Sequence, residues 1–210
     1  MPATKRAYHH GDLRQALIDA ACETLRESSA DEFSLRALAR RVGVSQTAPY
    51  RHFETKNAVF AAIAIEGFRE LAESLEEVDD DNDDYREQVV QTGLVYIRWS
   101  LANPEKYQFF FDSSMLDFGD YPELQMAGMA CFEVLLRRIR AGIAAGVFVD
   151  LPVEQLGGTM WSSIHGISSL LRGKPDGIEK RAGPVSTAFD YLVFETRTAV
   201  EQMVAGILAR

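Results

Sequence analysis

The chain has 210 residues, 47% of them hydrophobic and 10% aromatic, and its 22 Lys and Arg against 31 Asp and Glu leave a formal charge of −9. That composition supplies a core for one or two domains and excludes disordered, collagen-like and disulfide-scaffold chains. The longest unbroken apolar run, Ala58 to Ile65, falls far short of the roughly 20 residues that span a bilayer. With no long apolar stretch at the start and two cysteines, Cys22 and Cys131, far apart, a cytoplasmic protein without a membrane partner is expected.

The apolar period is helical nearly throughout, without an alternating strand run, and predicts an all-α fold of about nine helices. The first begins at Asp12, whose spacing to Gln15 is a capping-box variant, and presents Leu13, Leu17, Ala21 and Leu25 on one face. Ser34 caps a short helix, Leu35 to Val42, that Gly43 stops. Ser45 caps a second short helix running through Phe53, and a longer one extends from Lys56 to about Glu77. The polar run Asp79 to Asp84 lacks the spacing of an EF-hand and reads as a solvated loop, with a cation site as the alternative. Beyond it a helix covers Tyr85 to Asn103, Pro104 opens a new element, and residues 112–121 connect to a long helix from Pro122 to Ala145, ended by Gly146. Pro152 opens a helix to about Leu171, and after a Gly- and Pro-containing connector one final helix runs from Val185 to the C-terminus.

Two short helices joined by Gly43 and Val44 fit a helix-turn-helix. Its outward residues, Arg36, Arg40, Arg41, Gln46, Thr47, Tyr50, Arg51, His52 and Lys56, are cationic, polar or aromatic, with no carboxylate among them until Glu54. The global charge of −9 argues against a polyanionic partner, but its distribution does not. Residues 1–60 hold nine Lys and Arg against seven acids, a net of +2, whereas Glu66 to Glu87 alone carries eleven acids against two arginines, a net of −9. An ordinary solvent-facing helical hairpin is the alternative.

The run from Leu38 to Ser45, Leu-Ala-Arg-Arg-Val-Gly-Val-Ser, followed by Pro49-Tyr50-Arg51-His52-Phe53 and Lys56, resembles the DNA-binding domain of TetR-family transcriptional regulators over residues of about 8–65. Tyr8-His9-His10-Gly11-Asp12-Leu13-Arg14 resembles the opening of a subset of that family, and Trp161, His165 and Gly166 resemble its WHG-type regulatory domain. The resemblance implies a three-helix helix-turn-helix DNA-binding domain over 1–60 and a helical effector-binding and dimerisation domain over 61–210. It implies a double-stranded DNA operator read by Gln46, Thr47 and Tyr50, with Tyr50, His52 and Lys56 on phosphates, Ser34 and Ser45 as caps at the backbone, and Arg36 and Arg51 beside them. Lys5 and Arg6 are either an arm onto DNA or a solvated tail. Pro49, which lacks the N–H of the first intrahelical bond, departs from a regular recognition helix and is expected to tilt it. A helix of about eight residues covers one half-site, so a homodimer on a near-palindromic operator is expected.

Residues 96–132 contain nine aromatics, about 24% against 10% for the whole chain. Ordinary core is the default reading. Yet Phe109, Phe110 and Phe111 cannot all face one interior from a helix, so some line a cavity or an interface. Tyr96, Trp99, Phe110, Met115, Met129, Phe132, Trp161 and His165 are the candidates for the small-molecule effector pocket that the family places among these helices; a packed core histidine is the alternative for His165. Gly158, Ser162 and Gly166 form a stripe of small residues that lets another helix approach. With Met203 and Ile207 of the last helix they are the candidate dimer face, and intrachain packing is the alternative. No paired metal-ligand spacing, phosphate-binding glycine loop or nucleophile motif is present, so neither a metal, a cofactor nor an enzyme is expected. The expected function is a repressor released when a small apolar molecule binds. The alternatives are an activator, a ligand-independent regulator, or an all-α interaction protein that does not bind DNA.

Overall fold

The computed structural model describes residues 13–78, 83–111, 116–172 and 183–209. Lys5, Arg6, Asp12, Met115 and most of the acidic run lie outside the described residues. The all-α expectation holds: among the described residues there are nine α-helices, and the one β-bridge joins Phe148 to Leu208. In chain order they are α1 (Leu13–Glu27), α2 (Leu35–Val42), α3 (Lys56–Glu76), α4 (Tyr85–Ala102), α5 (Pro104–Tyr107), α6 (Pro122–Ala144), α7 (Val153–Arg172), α8 (Pro184–Phe194) and α9 (Thr196–Ala205). Short 3-10 turns occupy Ala30–Glu32, Pro49–Arg51 and Phe118–Asp120. No helix among the described residues is long and apolar enough to cross a membrane.

Local chemistry sets most of the boundaries. The Ser34 hydroxyl accepts the Ala37 N–H at 3.2 Å, the Thr55 hydroxyl that of Ala58 at 3.1 Å, and the Asp84 carboxylate that of Glu87 at 3.0 Å, so α2, α3 and α4 each start on a capping side chain. Gly43 stands in the left-handed region at φ +79, where its N–H reaches the Arg40 carbonyl and that of Val44 the Ala39 carbonyl. This is the Schellman arrangement, and it turns the chain sharply out of α2.

The uninterrupted apolar run inside α3 has a structural cause: from Val59 to Ile65 every residue is buried, because α1, α4, α5 and α6 surround this helix. A helix apolar on all sides belongs at the centre of a fold. One apolar core runs continuously from Leu17 of α1 through α3 to Ile207 beyond α9. Phe60 stacks on Phe109 at 4.5 Å and Phe68 on Phe110 at 3.7 Å between ring centroids, so two of the three consecutive phenylalanines lock onto α3. Each fully buried ring contributes about 1.5–3 kcal/mol.

Two expected helices differ from the structure. The segment from Ser45 to Phe53 is not a regular helix but a turn followed by the 3-10 turn Pro49–Arg51. Pro49 has no N–H to give the Ser45 carbonyl, and Ala48 takes that carbonyl instead at 3.0 Å, which tightens the segment to i→i+3 bonding. The Ser45 hydroxyl meets the Thr47 hydroxyl at 3.2 Å rather than capping a backbone N–H. The last helix is interrupted at Glu195 (φ −121, ψ 32), where the Thr196 hydroxyl donates to the Leu192 carbonyl, giving α8 and α9.

Candidate functional site

The first candidate site is the outer face of the helix-turn-helix. Ser34, Arg36, Ser45, Gln46, Thr47, Tyr50, Arg51, His52 and Lys56 are all exposed, while Leu38, Ala39, Pro49 and Phe53 beneath them are buried. The cations divide into two sets. Arg41 forks onto Glu27 at 2.7 and 3.0 Å and reaches Glu23 at 3.3 Å, which draws it back against α1. The Arg41 hydrogen bond and charge hold the Glu27 carboxyl below its ordinary pKa. Arg36, Arg40, Arg51 and Lys56 have no carboxylate within salt-bridge distance among the described residues, so their charge faces solvent. Lys56 stands on the first residue of α3, and Arg14 lies over the ring of Phe53, 5.4 Å from its centre.

A partly buried ionic joint ties this head to the rest of the chain through α5, a feature sequence periodicity did not reveal. Glu105, nearly fully buried, accepts from Arg26 of α1 at 2.5 Å. Its neighbour Lys106 donates to Glu66 at 3.0 Å and Glu70 at 2.6 Å on α3, and Glu66 also accepts from Gln15 of α1. Burial alone lowers the Lys106 pKa; the bonds it donates to Glu70 and Glu66, with their negative charge, outweigh it and hold the amine above its ordinary value. Three acids, two cations and an amide, bonded across separations of 36 to 79 positions, could be paired only by the fold.

The second candidate site is a cavity of about 300 Å3 enclosed by α3, α4, α6 and α7, with Met203 of α9. Its walls are overwhelmingly apolar: Phe68 and Leu75 from α3, Val89 from α4, Phe132 from α6, Met160 and Ile164 from α7, among others. Cys131 borders it as a neutral thiol, pushed up to about 12 by burial. A space of this size and character suits an uncharged small molecule, since an unpaired charge would be costly there.

The cavity takes in some of the residues singled out by sequence and not others. Tyr96, Met129, Phe132 and Trp161 line it. Trp99 and Phe110 do not: they stack on each other at 5.5 Å, and Phe110 is fully buried against Phe68, so both serve as core. His165 is also not in the wall; its Nδ1 meets the Tyr107 hydroxyl at 2.6 Å, and its ring lies edge-on to Phe111. Phe111, which no spacing rule selected, does line the cavity and packs against Trp161 at 5.2 Å. On α7, an added Cβ at Gly158 or Gly166 would meet nothing within 4 Å, and Ser162 is exposed, so that stripe is open. Met203 and Ile207 correct the expectation for the last helix. Met203 faces the cavity, and Ile207 is buried in the chain's own core, where its carbonyl accepts the Val149 N–H at 2.9 Å. Exposed apolar residues next to α9 lie instead on α8, which buries none of its residues and leaves Val185 and Phe194 outside. Among the described residues no cluster of three or more His, Cys, Asp and Glu could hold a metal ion.

Comparison with known proteins decides the family. The model for bacterial regulatory proteins of the tetR family matches residues 17–63, and the model for a tetracyclin repressor-like C-terminal domain matches residues 89–194, about half of the chain on its own. The chain belongs to the TetR family. An HTH-type transcriptional regulator of Mycobacterium tuberculosis is 24% identical over 146 residues, covering 68% of this chain and 62% of that protein, so the match spans less than two thirds of the relative's length. A protein of unknown function from Rhodococcus sp. RHA1 is similar in structure over 97% of this chain and 99% of its own, at 28% identity and a TM-score of 0.76. A putative tetR family transcription regulator from Shewanella sp. PV-4 shares the fold at 18% identity and a TM-score of 0.68, over 93% of this chain and 98% of that one. Members of the TetR family are DNA-binding transcriptional regulators, not enzymes. Both matched regions include stretches that carried the resemblance in the sequence: Leu38 to Lys56 in the first, and Trp161, His165 and Gly166 in the second.

Proposed function

We propose that this TetR-family regulator is a cytoplasmic repressor that binds a near-palindromic operator as a homodimer and leaves it when a small apolar molecule enters the cavity. The observation that carries the reading is the course of α3. One helix bears Lys56 at the exposed head and Phe68 and Leu75 in the cavity wall. Phe68 lies twelve residues beyond Lys56, about 18 Å along the helix, so a ligand that pushes on Phe68 acts on a rigid rod ending at the DNA face. The ligand must prefer the form that does not fit DNA; reversing a 1:99 population takes about 10⁴-fold differential affinity.

In this reading Gln46, Thr47 and Tyr50 meet base edges, while Arg36, Arg51, His52 and Lys56 hold phosphates, with Ser34 and Ser45 close to the backbone. The irregular segment at Pro49 sets the angle at which they are presented. The head spans residues 1–60 and the effector and dimerisation part residues 61–210, a boundary that falls within α3 and so favours direct mechanical coupling. The dimer forms through α7 and α8, which pack on each other and carry the open Gly158, Ser162 and Gly166 stripe and the exposed Val185 and Phe194 respectively.

The test is fluorescence anisotropy of the labelled DNA upstream of the chain's own gene, titrated with protein at two salt concentrations. A preference for that DNA over a scrambled duplex, weakening as salt rises, supports the reading. No preference over scrambled DNA would sink it.

A further inference from the structure

The cavity is long and narrow. Its walls reach from Phe68 to Leu75 on α3 and from Val89 to Tyr96 on α4, about 10 Å along either helix. At one end Gly128 of α6 faces Phe68, whose ring would lie 3.6 Å from an added Cβ. At the other, just past Leu75, Glu76 pairs with Arg137 of α6, and Arg138 bonds Thr92 of α4 at 3.2 Å. A volume of about 300 Å3 over that length leaves a mean cross-section of about 30 Å2, room for one hydrocarbon chain or a narrow ring.

The two ends differ in their access to water. At the Phe68 end the wall includes Phe111, Gln125 and Met129, all exposed, Met129 by 65%. At the inner end Leu75, Val89 and Thr92 are each at most 3% exposed. Polar groups follow the same division. The inner Thr92 hydroxyl already donates to the Gln88 carbonyl at 2.7 Å besides meeting Arg138, and that of Tyr96 shares a hydrogen bond of 3.1 Å with Tyr107. Gln125, at the mouth, makes no hydrogen bond among the described residues, and its amide can both donate and accept. A polar group carried to the inner end would lose its water against leucine and valine, whereas one left at the mouth keeps water and gains the Gln125 amide.

We propose that the cavity takes a single-headed amphiphile: an unbranched apolar chain that enters first and lies along α3, with one polar group, neutral or charged, left at the mouth beside Gln125. Molecules polar at both ends are excluded, because the inner end cannot hydrate the second group. This inference rests on the reading of the cavity as an effector site and adds the chemical class and the orientation of the effector.

The test uses octanol and octanoate as single-headed probes, with octanediol and octanedioate, polar at both ends, as their matched counterparts. Binding to the full-length protein is followed by calorimetry. Octanol should bind at least about tenfold more tightly than the diol, and octanoate about a hundredfold more tightly than the dicarboxylate. Gln125→Glu and Gln125→Lys place opposite charges at the exposed mouth without touching the core. At low salt octanoate should bind about fivefold more weakly to the first and about fivefold more tightly to the second, with octanol within about twofold of wild type in both. A chain lodged in reverse, head inward, would leave octanoate indifferent to these charges. Equal binding of single- and double-headed probes, octanoate unmoved by both Gln125 variants, or failure of all four probes to bind would overturn the proposal. Probes that bind as expected yet leave operator affinity unchanged would instead overturn the effector reading.

Discussion

Two glycines on one helix give opposite predictions for the same substitution. Gly128 and Gly142 both lie in α6, so replacing either with Ala gains about 1 kcal/mol of helix propensity. At Gly128, which lines the cavity, a new Cβ would sit 3.6 Å from Phe118 and from Phe68, ordinary van der Waals contact. Burying that methyl adds up to about 0.8 kcal/mol, so Gly128→Ala should stabilise the protein by about 1–2 kcal/mol. For a chain of this size that raises the melting temperature by roughly 2–8 °C. At Gly142 the Cβ would fall 2.3 Å from two atoms of the Phe148 ring, a rigid group only 2% exposed that anchors the bridge to Leu208. Overpacking against such a ring costs about 3 kcal/mol, at the upper end of the usual range. After the propensity gain, Gly142→Ala should lose about 2 kcal/mol and melt roughly 4–8 °C lower. Thermal unfolding by far-ultraviolet circular dichroism at one protein concentration checks both. Shifts of the same sign would refute the reasoning, because only the space around the added methyl distinguishes the sites.

Replacing Lys56 with Ala should weaken binding to all DNA sequences alike and reduce the salt slope of the binding constant by about one unit, as loss of one phosphate contact requires; an unaltered slope argues against that contact. His165 should make stability depend on pH in a defined direction. Burial, and then Arg172, hold its folded-state pKa below the ordinary 6.5, so the unfolded chain takes up the proton first. The stability it contributes is therefore complete above about pH 6.5 and is lost as pH falls through 6.5 towards the lower folded value. His165→Gln should flatten the fall in melting temperature between about pH 7 and pH 5, and equal falls in the two proteins would contradict the argument. Phe194, 79% exposed on α8, should carry the dimer face, so Phe194→Asp should shift sedimentation towards monomer without lowering helix content. A variant that sediments like the wild type would move the interface elsewhere.

Much of the fold was legible because its signals are local. Ser34, Gly43, Pro104 and Pro122 act through bonds within four residues of themselves, and the helices they bound were read within a residue or two. Pro49 was visible as a missing donor, but how far it disturbed the segment depended on where the freed Ser45 carbonyl went. Periodicity identified apolar faces without saying what they face, which is why Met203 and Ile207 looked equally suited to a partner chain and to their own core. The three phenylalanines followed the same rule. That they must diverge could be read from helix geometry, but their destinations, α3 for Phe109 and Phe110 and the cavity beside α7 for Phe111, are long-range facts. His165 and Tyr107 meet across 58 positions, beyond any spacing argument.

Reciprocity between the two sites offers the most direct measurement. With a small molecule recovered from the purified protein or found by thermal shift, operator affinity is measured with and without it, and its own affinity with and without operator. If the cavity controls the head through α3, the fold by which the ligand weakens DNA binding equals the fold by which DNA weakens ligand binding, and both effects shrink together when a cavity-filling Gly128→Leu blocks the site. A molecule that binds in the cavity and leaves operator affinity unchanged would contradict the account.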